Sequence, residues 1–239
     1  MANAFASCYV LHTQPFKETS LLVRLFSKEF GRFSVIAKGI KRKNAQALRA
    51  ILQPFMLLKI EFVGRSELKT LRQAELLSDF KKLPPASLAC GYYLNELLLR
   101  STQEGQDFSQ LFACYKSSIA ALKERDDYRT VLRNFEADLL EALGVAPSWI
   151  LDIQSNQIES DERYSFVDDK GFEKQTINEL SHETNDQFNS FSGESIISFH
   201  HRVYPSHSCR ESQKISQMLL RKIIGDKPLE SRKLWLKSY

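Results

Sequence analysis

The chain has 239 residues, 43% of them hydrophobic, which suits one large or two small domains with a real core and argues against wholesale disorder. Its net charge of +4 conceals a polarised layout: residues 1–80 hold 13 basic and 6 acidic groups, residues 152–194 hold 3 and 11, and residues 195–239 hold 9 and 3. Cys8, Cys90, Cys114 and Cys209 form no CxxC pair, which excludes a zinc ribbon and a dense disulfide framework, and the start of the chain shows neither a leader nor a run of about 18 apolar residues, so a reducing cytoplasm and no membrane contact are expected.

The first eighty residues read as strands. Val23 and Leu25, with Leu22 and Phe26 on the other parity, lie in one run; Phe33, Val35 and Ala37 alternate in the next; Met56, Leu58, Ile60 and Phe62 alternate in a third. Glycines at Phe30-Gly31-Arg32 and Val63-Gly64-Arg65 mark reversals. With FASCYVLHT before and SELKTLRQAELL after, five strands are expected, and closure into a small barrel removes the exposed edges an open sheet would leave.

Pro84-Pro85 then change the code, because proline cannot serve a ladder but suits the first turn of a helix. Leu88, Tyr92 and Leu99 give one helical stripe, Leu111, Tyr115, Ile119 and Leu122 a second, and Val131, Phe135, Leu139 and Leu143 a third that stops at Gly144, so a helical bundle is expected. Residues 152–194 are acidic and polar and read as a mostly irregular excursion. A last helix opens at Ser208-Cys209-Arg210-Glu211, whose spacing predicts reciprocal capping, carries Ile215, Leu219 and Ile223 inward, and stops at Gly225 and Pro228. The fold class is therefore α+β, with a barrel over residues 1–80 and a helical domain over 81–239.

Phosphate-cradling and dinucleotide-binding glycine motifs are absent, as are GxSxG and HExxH. His200, His201, His207 and Cys209 form the only His/Cys cluster; its spacing matches no familiar metal site, and helix-end and surface histidines are the favoured reading. Asp126-Asp127 and Asp168-Asp169 fit capping and turn positions.

The sharpest feature is KGIKRKNAQALRAILQPF, residues 38–55. If one strand ends at Lys38 and the next begins near Ile51, then Lys41, Arg42, Lys43 and Arg49 share a connector that can meet a phosphate backbone, with steep salt dependence through counterion release. Arg24, Arg32, Lys59, Arg65, Lys69 and Arg72 add charge on neighbouring strands. Tyr9, Phe16, Phe33 and Phe55 are candidate stacking platforms for bases, although for any one of them core packing is the favoured reading. Positive charge clustered at both chain ends asks for an opposing polyanion, and a DNA-binding protein is the reading these residues support. A peptide-binding adaptor whose charge is incidental, and a metal-dependent enzyme using His200, His201 and His207, are the alternatives.

Several stretches together resemble the RecO family of bacterial recombinational repair mediators. They are Pro15-Phe16-Lys17-Glu18-Thr19-Ser20-Leu21, Ala37-Lys38-Gly39-Ile40-Lys41-Arg42, Leu52-Gln53-Pro54-Phe55, and, near the far end, Lys227-Pro228-Leu229 with Ser231-Arg232. The resemblance implies an oligonucleotide-binding (OB) barrel, a helical domain, no cofactor and no bond-breaking catalysis. It further implies binding of single- and double-stranded DNA, strand annealing, and contacts with RecR, with the acidic tail of the single-stranded DNA-binding protein and, indirectly, with RecA. Many relatives carry four cysteines in the excursion after the third helix, whereas residues 151–156 here hold none, so the chain is similar to the zinc-free branch. An acidic tail needs cations beside an apolar socket; Arg221, Lys222, Lys227 and Arg232 with Leu219, Leu220 and Ile223 are the expected site, with Glu230 standing where the family often has a basic residue.

Overall fold

Inward and outward side chains alternate along the strands as the sequence predicts. The computed structural model describes every residue except 1–3, 41, 43–44, 65–67, 78–81, 125–126, 176–188 and 236–239. The described residues fall into two compact units, one of residues 1–128 with 227–239 and the other of residues 129–226.

In the first unit, β1 (Ala4–Phe16), β2 (Ser20–Ser27), β3 (Gly31–Ala37), β4 (Leu57–Val63) and β5 (Leu68–Leu76) close a barrel in the order β1-β2-β3-β5-β4. The β3–β5 pair is parallel and the others are antiparallel. A one-and-a-half-turn helix, α1 (Gln46–Ile51), stands between β3 and β4. Five strands in this order form an OB-type barrel. Val23, Leu25, Phe33, Val35, Ala37, Leu58, Ile60 and Phe62 fill the interior, and Phe30, Phe33 and Phe62 meet ring to ring at 5.2–5.9 Å. The connector after Lys38 is longer than the sequence predicts: β4 begins at Leu57, because α1 and the Pro54-Phe55 turn use the residues from Gln46 onward.

β1 holds a bulge between Val10 and His12 that leaves Leu11 out of register. The Leu11 carbonyl accepts from Asn95 Nδ2 at 2.7 Å, and the Asn95 side-chain oxygen accepts in turn from the Tyr115 hydroxyl. Asn95 belongs to α2 (Pro85–Ser101) and Tyr115 to α3 (Ser109–Glu124). The buried stripe of α2 is Cys90, Tyr93, Leu94, Leu97 and Leu98, not the predicted Leu88, Tyr92 and Leu99; Leu88 is exposed. Gly91 explains the rotation: a Cβ there would lie 2.4 Å from Leu83 and 2.9 Å from the Phe55 ring, so this face of α2 lies against the Pro54-Phe55 turn.

The second unit contains most of α4 (Tyr128–Ala142), β6 (Arg163–Val167), β7 (Gly171–Lys174), β8 (Ser190–Ser192), α5 (Gly193–His201) and α6 (Cys209–Ile224). The acidic stretch, expected to be mostly irregular, is so over residues 152–162 but contains short strands further on, and residues 176–188 lie outside the described residues. A three-stranded sheet in the order β7-β6-β8 buries Tyr164, Phe166, Phe172 and Phe191, and Trp149 stacks on Phe199 at 4.5 Å. In the preceding loop the Asp152 carboxylate accepts from the backbone N–H groups of Gln154 and Asn156 at 2.9 and 2.8 Å.

The predicted capping box on α6 does not form. Ser208 makes no capping bond, and Glu211 faces the start of α5 instead. Its carboxylate accepts from Ser192 N–H at 2.9 Å, Ser192 Oγ at 2.7 Å, Ser195 Oγ at 3.0 Å and Arg163 Nη1 at 2.8 Å. Burial raises the Glu211 pKa, but these hydrogen bonds and the Arg163 charge outweigh it and bring the carboxyl down to about 2. The chain ends back in the first unit with α7 (Arg232–Trp235).

Candidate nucleic-acid interface

The outer surface of β2 and β3 is divided by what covers it. Phe26, outward on β2, lies under Phe112 and Tyr115 of α3 at 5.8 and 6.1 Å, and Tyr9 of β1 lies under the same two rings. Beyond this covered part, strand register lines up His12, Arg24, Ser34 and Leu68 across β1, β2, β3 and β5, then Gln14, Leu22, Ile36 and Thr70 in the next row. All are at least partly accessible. Phe16 lies on the same face at the end of β1, partly exposed, with the Lys17 ammonium 5.7 Å from its ring centre. Cations, half-buried apolar side chains and an accessible ring on one barrel face form a surface able to track a strand and stack on its bases.

The predicted cations divide as follows. Arg24 is on this face and half-buried. Lys38, Arg42 and Arg49 are exposed at the end of β3, in its connector and on α1, and none of them pairs with a described carboxylate. Lys41, Lys43 and Arg65 lie outside the described residues. Lys59 and Arg72 are exposed on the β4–β5 side, Lys59 in register with Glu75. The Lys69 ammonium stands 5.9 Å from the Phe33 ring. Arg32 is already engaged: its Nε donates to the Thr102 carbonyl at 2.9 Å and its Nη1 is 3.6 Å from Glu104.

At three of the four candidate platforms the favoured core reading holds, which corrects Phe33 as a DNA-binding residue. Phe33 is 2% exposed inside the barrel, Tyr9 is covered by α3 and Phe55 is packed against α2, so none offers a ring face to a base. Sequence reasoning missed His12 and Ser34, which only the register places beside Arg24. Burial, and then the Arg24 charge, lower the His12 pKa, and its Nδ1 has no hydrogen-bond partner among the described residues.

The expected acidic-tail site does not assemble as drawn. Leu219 and Leu220 are core residues of the second unit, which leaves no socket at those positions. Arg221 pairs with Asp226, and Lys222 pairs with Asp168 while lying 4.7 Å from the Phe166 ring. Lys227 and Arg232 are exposed in the first unit. Between them the Arg100 guanidinium donates to the Lys227 carbonyl at 2.7 Å, and the Glu96 carboxylate accepts from Glu230 N–H, Ser231 N–H and Ser231 Oγ at 2.9, 2.9 and 2.7 Å. His207 faces the Glu194 carboxylate at 2.8 Å, and His200 and His201 end α5. No group of three potential metal ligands occurs among the described residues.

Residues 1–80 match the family model described as recombination protein O, N terminal, and residues 85–233 match its C-terminal counterpart. The chain belongs to the recombination protein O (RecO) family. It is 32% identical to the DNA repair protein RecO of Alteromonas mediterranea, covering 99% of this chain and 98% of that protein. The RecO of Nitrosospira multiformis is 35% identical over 95% of this chain and 92% of its own length, and that of Aliivibrio fischeri is 31% identical over 99% and 97%. The N-terminal RecO match coincides with the barrel strands, and the C-terminal match begins at the first residue of α2. Among the described residues no helix is long and apolar enough to cross a membrane.

Proposed function

We propose that this RecO-family chain is a non-catalytic, cytoplasmic mediator of recombinational DNA repair that holds single- and double-stranded DNA on its barrel and anneals complementary strands. Residues 1–80 are the DNA-binding domain, and residues 81–239 carry the partner contacts. With RecR, the chain helps load RecA onto strands coated by the single-stranded DNA-binding protein, whose acidic tail meets exposed cations such as Lys227 and Arg232. The observation that carries the reading is the charge of the unit built around the barrel. Its 23 basic and 13 acidic residues give net +10, against 10 and 16, net −6, in the other unit. The cations Arg24, Lys38, Arg42 and Arg49 border an accessible strand face with Leu22, Ile36 and Phe16 beside them.

Annealing then needs no chemistry on the strands. Neutralised phosphates repel less, and bases resting on an accessible ring stay available for pairing. The test is binding of a thymidine oligonucleotide at several salt concentrations by wild type and a Lys38→Ala, Arg42→Ala, Arg49→Ala variant. The expected result is a salt slope shallower by up to about 2 in the variant, since each single-strand phosphate contact contributes roughly 0.7. Equal slopes refute the assignment of these three cations.

A further inference from the structure

A carboxylate sits on the accessible barrel face beside Ser34 and Arg32. Glu104 belongs to the segment between α2 and α3, and that segment is fixed against the start of β3. Glu104 forms β-bridges with Gly31 and Arg32, Gly105 N–H donates to the Arg32 carbonyl at 3.4 Å, and Arg32 Nε donates back to the Thr102 carbonyl. Gly31 permits this approach, for a Cβ at that position would lie 2.0 Å from the Gln106 carbonyl oxygen. So anchored, the Glu104 carboxylate accepts from the Ser34 hydroxyl at 3.0 Å and stands 3.6 Å from Arg32. Arg24 is the cross-strand neighbour of Ser34 on the same face.

A hydroxyl donor and a guanidinium around one anionic oxygen, with a second arginine beside them, are the donor set that proteins use for nucleic-acid phosphates. Resting on the DNA-binding reading of the barrel, we infer that Ser34, Arg32 and Arg24 form a subsite for one backbone phosphate of a single strand, which the Glu104 carboxylate occupies while the protein is free. The pair is partly exposed, with 20% of the Arg32 side chain and 32% of Glu104 accessible, so it holds weakly and an arriving phosphate competes for the same donors. Of Arg24, Arg32, Lys38, Arg42 and Arg49, Arg32 alone pairs with a carboxylate among the described residues, so at this point of the face protein charge opposes the strand. Glu104 thereby sets how readily the face accepts a polyanion without being part of the attractive surface.

The experiment uses the full chain and a fluorescent thymidine oligonucleotide between 50 and 200 mM salt. Glu104→Gln keeps an oxygen for Ser34 and removes the charge. Its affinity should exceed that of wild type at 50 mM, and its salt slope should be steeper by about 0.7, an additional loss of about 2.6-fold over the fourfold rise in salt. Adding Ser34→Ala should take back part of the gain in affinity while leaving the slope steep, since a neutral hydroxyl releases no counterion, and Glu75→Gln, a neutralisation on the β4–β5 side, should leave the slope unchanged. Thermal unfolding of each variant shows whether it is folded, and Glu104→Asn is the second variant should Glu104→Gln fail. Wild-type binding with an unchanged Glu104→Gln slope, or an equal gain from Glu75→Gln, overturns the subsite alone. A wild type that ignores the oligonucleotide at 50 mM overturns the DNA-binding reading itself.

Discussion

Replacing Glu211 by Gln separates charge from shape at the best-connected carboxylate of the second unit. Its four accepted bonds join the start of α5, strand β6 and its own helix α6. Its folded-state pKa lies at about 2 against an ordinary 4.5, so its contribution is fully present above the ordinary value and is lost as pH falls toward 2. Taken at full strength such a displacement corresponds to about 3 kcal/mol; with 28% of the side chain exposed, solvent screening reduces this to about 1–2 kcal/mol. The assay is urea unfolding followed by the fluorescence of Trp149, which stacks on Phe199 of α5, with Trp235 replaced by Phe to leave one indole. Glu211→Gln should be less stable by that amount at pH 7, and the gap should narrow steadily below pH 5. A gap that is absent at pH 7, or that keeps its size down to pH 2.5, refutes the argument.

Asn95→Ala should cost about 1–3 kcal/mol in the same denaturation assay, because it leaves the buried Leu11 carbonyl of the bulge without its Asn95 donor and takes one acceptor from the Tyr115 hydroxyl. A double-mutant cycle with Tyr115→Phe should show a coupling above about 0.5 kcal/mol, and strict additivity would remove the relay from Tyr115 to β1. Gly91→Val should destabilise by about 1–3 kcal/mol through overpacking against Leu83 and Phe55, and an unchanged urea midpoint would mean that the Pro54-Phe55 turn yields freely.

The barrel was legible because its strands are long enough to repeat. Phe33, Val35 and Ala37, like Leu58, Ile60 and Phe62, show three inward turns of a two-residue period, and the glycines mark the reversals. β6, β7 and β8 are three to five residues long and place only one or two aromatics inward each, so among acidic neighbours no period emerges. The capping box at Ser208 failed for a related reason. A local pattern states which bonds are geometrically open, and Glu211 found stronger partners sixteen and nineteen residues upstream at Ser195 and Ser192. The functional face suffered most. Charge identified Arg24 and Arg32 from the sequence, but His12 and Ser34 become neighbours of Arg24, and Glu104 of Arg32, only through register and a long-range bridge.

The same distinction between chain order and folded proximity bears on the two basic ends. Read along the chain, residues 1–80 and 195–239 look like two separate cationic regions on either side of an acidic middle. The fold divides the second region at residue 226, leaving Arg202, Arg210, Lys214, Arg221 and Lys222 in the acidic unit, where Arg202, Arg221 and Lys222 pair with carboxylates. Lys227, Arg232 and Lys233 return to the barrel's unit, held there by Glu96 and Arg100 of α2 through backbone groups and one serine hydroxyl. Such a clasp consumes one carboxylate of α2 while using none of the returning cations' charge. The ending that resembles the family's K-P-L-x-S-R pattern therefore has a structural explanation in Leu229 and Ser231, which are buried, while Lys227 and Arg232 remain exposed. Its consequence is electrostatic: the final residues raise the net charge of the barrel's unit to +10, so the long-range field that attracts a polyanion comes from both ends of the chain at once.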